Sequence, residues 1–371
     1  MRFRGEPRTV GRVSRLPTTA TARRRRHRRW ALAGATAGVA TLVAAAGVAI
    51  AATSSEAGDP PAGYPRGGLA FAAGGGSHIQ LGTGGFTVLP TEASNWVANN
   101  QGDARMPVIR DRIATQPSAL WLTGAESYAN LSRAVSQAAG NDGTLTLTLY
   151  NIPGRNDGLS DPTSTTPDAY RAFIDWVVTT IGTTRAVVVV EPDALWFVDR
   201  QTPPGTQAYT DRMAVLNHVV DAFRTKAPRS AVYLEAGTSS QSVTPVRMAQ
   251  LLQAAGVSRA AGFAVNVSSF GPDAPITAWA QGIRSGLAGL GQPDVHYVVD
   301  TSRNGNPSWD YTWCNPDGRR IGFLPGVTSG ANGLDANLWI KQPGTSDGSC
   351  GNGRGSYGGQ FLPQVAYDQA R

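Results

Sequence analysis

The sequence predicts an α/β fold, with about seven parallel strands curled into a closed or nearly closed barrel. Three observations lead there. From about Phe86 onward, short apolar runs alternate with longer amphipathic ones, the pattern of strands that are each followed by a helix. The run Val187-Val188-Val189-Val190 shows no polar alternation, so both of its faces must be covered, as in a parallel sheet. About seven such units share 286 residues, which suits a barrel better than an open sheet.

In chain order, a strand is expected at residues 119–123, then a helix at 127–139, because a short apolar run gives way to an amphipathic one. The same alternation places strands at 145–150, 186–190, 231–234, 262–267 and 295–299, and helices at 168–181, 210–226, 246–255 and 276–290. A last strand is expected at 336–340. No internal repeat is visible.

The formal net charge of +7 does not belong to this domain. Residues 1–30 contain eleven Arg and one Glu, which leaves 22 basic against 25 acidic residues in the remainder. A nucleic-acid partner is therefore not expected. The basic run Arg23-Arg24-Arg25-Arg26-His27-Arg28-Arg29 precedes residues 31–52, which carry no charge and are rich in Ala and Gly. A basic stretch before an apolar one reads as a secretory signal, with Ala49-Ile50-Ala51 as a small-residue cleavage site, or as a retained signal anchor. Residues 1–52 are thus expected to be an export signal or anchor, residues 53–85 a Gly/Pro/Ser-rich tether, and residues 86–371 the functional domain. Any membrane contact would run through the first segment, and the remainder is expected outside the cell, as a monomer.

In α/β barrels the site lies at the carboxyl ends of the strands. Here those ends carry Arg155 and Asp157, Glu191 and Asp193, Glu235, Asn266, Asp300, and then Lys341 and Asp347. No His follows a strand end and no HxH or HExxH pair exists, so neither a catalytic metal nor another cofactor is expected. Clustered carboxylates suit general acid–base chemistry. Trp121, Tyr150, Trp196, Trp309 and Trp313 lie near the same ends. Acids beside flat apolar rings suit a sugar polymer, whose rings stack on aromatics while acids work on the glycosidic oxygen. The plainer reading of any one residue is an Asp capping a helix or a Trp filling the core. Two motifs are set aside. Gly344-Thr345-Ser346-Asp347-Gly348 has the spacing of a nucleophile elbow, but a Gly-rich loop follows and no later His exists. The Gly351–Gly355 run follows no strand and opens no helix, which a phosphate loop requires.

Several of these segments resemble glycoside hydrolase family 6, the family of cellobiohydrolase II and related endoglucanases. Val187-Val188-Val189-Val190-Glu191-Pro192-Asp193-Ala194-Leu195 resembles the family's E-P-D signature, and Tyr150-Asn151-Ile152-Pro153-Gly154-Arg155 the first half of its Y-x-x-P-x-R-D-C signature. Asp300-Thr301-Ser302-Arg303-Asn304-Gly305-Asn306, Trp313-Cys314-Asn315-Pro316 and Leu338-Trp339-Ile340-Lys341-Gln342-Pro343-Gly344 follow in order. The resemblance implies a distorted, partly open α/β barrel that hydrolyses β-1,4-glucan with inversion. It implies Asp193 as general acid, Asp347 as the carboxylate proposed as base, and Tyr150 against the distorted sugar. It also implies Trp121, Arg155, Glu235, Asn266, Trp313 and Lys341 in substrate binding, and a Cys314–Cys350 disulfide.

The chain departs from the family where the chemistry lies. R-D-C reads Arg155-Asn156-Asp157, so the Asp that raises the acid's pKa becomes Asn156; Asp157 stands one position late in the Cys slot, and only a one-residue loop shift would let it substitute as a catalytic residue. A water-positioning Ser becomes Pro162, D-A-G-H reads Glu235-Ala236-Gly237-Thr238, a sugar-stacking Trp becomes Gln241, and the Glu of G-E-x-D-G becomes Thr345. Two functions are therefore expected to compete: a secreted, endo-acting glucanase, and a non-catalytic carbohydrate-binding relative on the same barrel.

Overall fold

A computed structural model describes residues 76–155, 165–308 and 312–371. Eight strands form one sheet: β1 (Leu120–Leu122), β2 (Thr144–Leu149), β3 (Arg185–Val190), β4 (Ser230–Glu235), β5 (Gly262–Val265), β6 (His296–Asp300), β7 (Gly326–Val327) and β8 (Leu334–Leu338). Their order is β1-β2-β3-β4-β5-β6-β8-β7. Every pair is parallel except β7 with β8. The sheet curls until β1 meets the end of β8. No ladder joins them: the Ala119 amide bonds the Trp339 carbonyl (2.9 Å), and the Trp121 indole bonds the Ile340 carbonyl (2.8 Å). The barrel is thus mostly parallel and partly open, as the resemblance implies.

The four-valine run shows why two covered faces leave no polar alternation. Val188 and Val190 pack outward among the helices, in the cluster that includes Ile174, Val177 and Leu216. Val187 and Val189 pack inward with Tyr233, Ala264, Val298, Leu338 and Ile340. In β2 the alternation Thr-Leu misleads by itself. Its leucines face the helices, while the threonines face the barrel interior and are buried too.

All seven expected strands are present. β7 was not expected, because two residues carry no periodicity. The five expected helices are Tyr128–Gly140, Pro167–Ile181, Gln207–Lys226, Pro245–Ala254 and Asp273–Gly289. Several start a residue or more early, since a threonine hydroxyl caps each first turn: Thr166 accepts from the Ala169 amide, Thr206 from Tyr209 and Thr244 from Arg247. Three further helices, Glu92–Asn99, Ala194–Gln201 and Pro363–Ala370, have eight residues each and were not anticipated.

The stretch expected as a tether through residue 85 is packed in its described part. Ile79 enters the barrel interior, the Gly82 amide bonds Thr144 Oγ1 (3.0 Å), and the Thr87 amide bonds the Thr144 carbonyl (2.9 Å). Residues 1–75, including the expected signal, lie outside the described residues. Among the described residues no helix is long and apolar enough to cross a membrane.

Candidate active site

At the end of β3, Glu191 and Asp193 both adopt left-handed backbone angles (φ 52° and 70°). At the end of β5, Asn266 and Ser268 do the same (φ 62° and 57°). Such angles are rare outside glycine and cluster where a strand end must aim a side chain. Glu191 itself does not face the rim. It is buried, accepts from the Asn151 and Ile152 amides (2.9 and 3.0 Å) and from the Tyr170 hydroxyl (2.8 Å), and so ties the β3 end to the β2 loop. Burial pushes its carboxyl up.

Asp193 opens the helix Ala194–Gln201 without capping it, which leaves its carboxyl for other work. Burial pushes that carboxyl above the ordinary range. Behind it stands Glu235, only 3% exposed, which accepts the Asp193 amide (2.9 Å) and the Gly237 amide. Burial and the neighbouring Asp193 push Glu235 up to about 8. Two carboxyls this close titrate as a pair, and a pair whose affinities rise in this way holds one proton at neutral pH.

The second acid environment differs. Asp347 accepts two hydrogen bonds from one nitrogen of the Arg303 guanidinium (2.9 and 3.0 Å), accepts the Asn315 amide (3.1 Å), and lies 3.6 Å from the Lys341 ammonium. Asn315 Oδ1 in turn accepts the Asp347 amide (2.8 Å). Arg303 is almost fully buried, lies over the Phe270 ring and donates to the Ser268 carbonyl. Lys341 Nζ sits 5.9 Å from the Trp121 ring centroid, and burial lowers its pKa, with the Arg303 charge adding to the effect. Asp300 joins three strand ends: it accepts the amides of Ser268, Ser302, Ile340 and Lys341 at 3.0 to 3.3 Å.

The structure thus brings Asp193, Glu235, Asp347, Lys341, Tyr150 and Trp121 to the same end of the barrel, and it changes three expectations. Glu235 was expected to bind substrate but is packed behind Asp193. Asn266 was expected to meet sugar hydroxyls. It is 0% exposed, donates to the Asp300 carbonyl (2.8 Å) and accepts the Gly271 amide (3.2 Å), so it braces two loops. Arg155 was expected on the substrate as well, yet its Nη1 donates to the Thr123 and Tyr150 carbonyls (2.6 Å each) and to Asn151 Oδ1 (2.9 Å), closing the β2 loop. Tyr150 meets Trp121 edge-on, with centroids 5.4 Å apart. Trp313 is 68% exposed beside the Cys314–Cys350 disulfide. Asp157, with Asn156, Pro162 and Trp309, lies outside the described residues. Arg303 and Asn315, which hold Asp347, were not singled out. An Arg three positions past a strand-end Asp is a signal that could have found the first of them.

The profile of the family described as glycosyl hydrolases family 6 matches residues 89–361. Endoglucanase 1 of Streptomyces halstedii is 39% identical over 81% of this chain and 93% of its own length. Endoglucanase A of Cellulomonas fimi is 34% identical over 78% of this chain and 61% of its own length. Among solved structures, the endoglucanase of Mycobacterium tuberculosis in complex with methyl-cellobiosyl-4-deoxy-4-thio-β-D-cellobioside is 34% identical, with a TM-score of 0.66 over 76% of this chain and 95% of that one. An endoglucanase from Humicola insolens, at 19% identity and a TM-score of 0.64, shares the fold.

Proposed function

Since this chain belongs to glycosyl hydrolases family 6, and is a glycoside hydrolase, we propose that it is an exported endoglucanase that cleaves β-1,4-glucan with inversion. Asp193 gives its proton to the glycosidic oxygen as the bond breaks. Asp347 takes the proton of the attacking water. Lys341 holds a sugar hydroxyl, Trp121 and the exposed Trp313 stack on sugar rings, and Tyr150 presses on the ring being cleaved.

The observation that carries this reading is the contrast between the two acids. Asp193 is buried beside a second carboxyl, and burial raises its hold on a proton. Asp347 is held by a guanidinium and an ammonium. An inverting glycosidase needs one acid and one base, and opposite surroundings are how a site separates two carboxyls into those roles. The pairing with Glu235 also supports turnover despite Asn156, because it supplies a neighbouring carboxyl from another strand.

The test is reducing-end release from soluble β-glucan, with the anomer of the new end read by NMR. The expected product is the α-anomer, and Asp193→Asn should release at least about 10²-fold less of it. Tight oligosaccharide binding without release between pH 4 and 9 would instead establish the carbohydrate-binding reading.

A further inference from the structure

At the opposite end of the barrel, residues 76–79 close the floor. Ile79 lies in the interior cluster with Tyr233, Ala261, Val298 and Ala336. The His78 amide donates to Asp335 Oδ1 (2.8 Å), and its ring Nδ1 lies 2.9 Å from the Ala261 carbonyl and 3.9 Å from Asp335 Oδ2. The His78 ring stacks on His296, with centroids 3.8 Å apart and planes 9° from parallel. His296 Nδ1 meets Asp335 Oδ1 at 2.8 Å, and the Tyr233 hydroxyl donates to Oδ2 at 2.6 Å. Asp335 has no exposed surface. Asp294, on the turn before β6, also acts on His78.

Two imidazoles and a carboxylate are also a donor set for a divalent cation, and their ligand atoms lie within 4.8 Å of one another. The stack argues against that use. In-plane lone pairs of two parallel rings run side by side, whereas a metal needs them aimed at one point. A face-to-face pair over one carboxylate has a different property. Asp335 can balance one imidazolium, but a second positive ring 3.8 Å from the first is repelled.

We propose that His78 and His296, stacked over Asp335, form an acid-released latch that fastens residues 76–79 to the barrel floor. Burial lowers the His78 pKa below its ordinary 6.5, so docking favours the neutral ring. A depressed pKa gives stability that is complete above the unlatched value and is lost as pH falls through the latched value. The latch therefore holds at neutral pH and weakens on acidification. Release would withdraw Ile79 from β6 and β8, the strands whose other ends carry Asp300 and Lys341.

Hydrogen exchange of a peptide spanning residues 77–81, in the full chain at pH 7.5 and 5.5 and corrected for intrinsic rates, tests this. Protection in the wild type should fall on the order of tenfold for each unit of pKa depression. In His78→Gln it should be lower and independent of pH. In His296→Phe, which keeps a stacking ring without a charge, it should persist to lower pH. Equal wild-type protection at both pH values, or the same acid loss in His78→Gln, overturns the latch. Should His78→Gln fail to fold, an unchanged acid loss in His296→Phe overturns it equally. Loss of protection with EDTA at pH 7.5 overturns it in favour of a metal site.

Discussion

The backbone amide of Asp193 donates a 2.9 Å hydrogen bond to the carboxyl of Glu235, across the ends of two neighbouring strands. A strand-end acid is thereby seated against a second buried acid from the next strand, 42 residues away. The contact fixes the turn that aims Asp193 and couples the two titrations.

Replacing Glu235 with Gln removes that coupling. Glu235 is raised from 4.5 to about 8 by burial and by Asp193, so its neutral form contributes stability that is complete below about 4.5 and lost as pH rises through 8. Between pH 5 and 8 the melting temperature of the wild type should therefore fall relative to that of Glu235→Gln. The alkaline limb of kcat/KM should move lower in the variant, because the coupled pair then has one carboxyl fewer over which to hold its proton. Coincident profiles would show that the contact is mechanical only.

Asp193→Asn keeps the shape of the acid and removes its proton. Hydrolysis of an unactivated β-glucan should fall by at least about 10²-fold, the lower range for a general acid, with oligosaccharide binding within about threefold of wild type. Isothermal titration beside a reducing-end assay separates the two. Retained turnover would move the acid role elsewhere.

Arg303→Met leaves Asp347 buried with Lys341 as its nearest cation, at 3.6 Å. Breaking one partner of such a pair costs about 3–5 kcal/mol of stability. Denaturant unfolding should show that loss. Asp347→Asn breaks the same pair from the other side and leaves Arg303 buried without its carboxylate, so it should cost a similar amount of stability as well as kcat. A variant as active as wild type would exclude Asp347 as the base.

The Cys314–Cys350 bridge spans 36 residues and borders the loop that carries Asn315 and Asp347. By the chain-entropy estimate, a loop of that length contributes about 4 kcal/mol. Reduction, or the double Ser variant, should lower the unfolding free energy by roughly that amount, read from urea midpoints at matched pH.

Trp313 is the most exposed tryptophan side chain named at this rim, at 68%. Trp313→Ala should raise KM for long β-glucans about two- to tenfold with kcat nearly unchanged, the signature of a lost stacking contact. An unchanged KM would leave Trp313 without a sugar.

The seven strands and five of the helices were legible because periodicity records which faces are buried, and in Val187–Val190 both faces are. The unanticipated helix Ala194–Gln201 starts directly from a left-handed Asp193, with no spacer or capping side chain to announce it. Among the proposed site residues, Asp193, Asp347 and Lys341 come from strand ends and resemblance. Asn266 and Arg155 were assigned to the sugar because a polar residue at a strand end looks the same in sequence whether it faces the cleft or a neighbouring loop.

The sequence by itself determined the barrel, the end of it at which the acids gather and the concentration of positive charge in residues 1–30. These are local properties, written in runs of a few residues. Only the tertiary structure decided that Glu235 stands behind Asp193, that Arg303 holds Asp347 from 44 residues away, and that His78 reaches Asp335 across 257. Such contacts arise when the sheet curls and brings distant strand ends together. A side chain's role there depends on which neighbour reaches it first, and no periodicity along the chain records that.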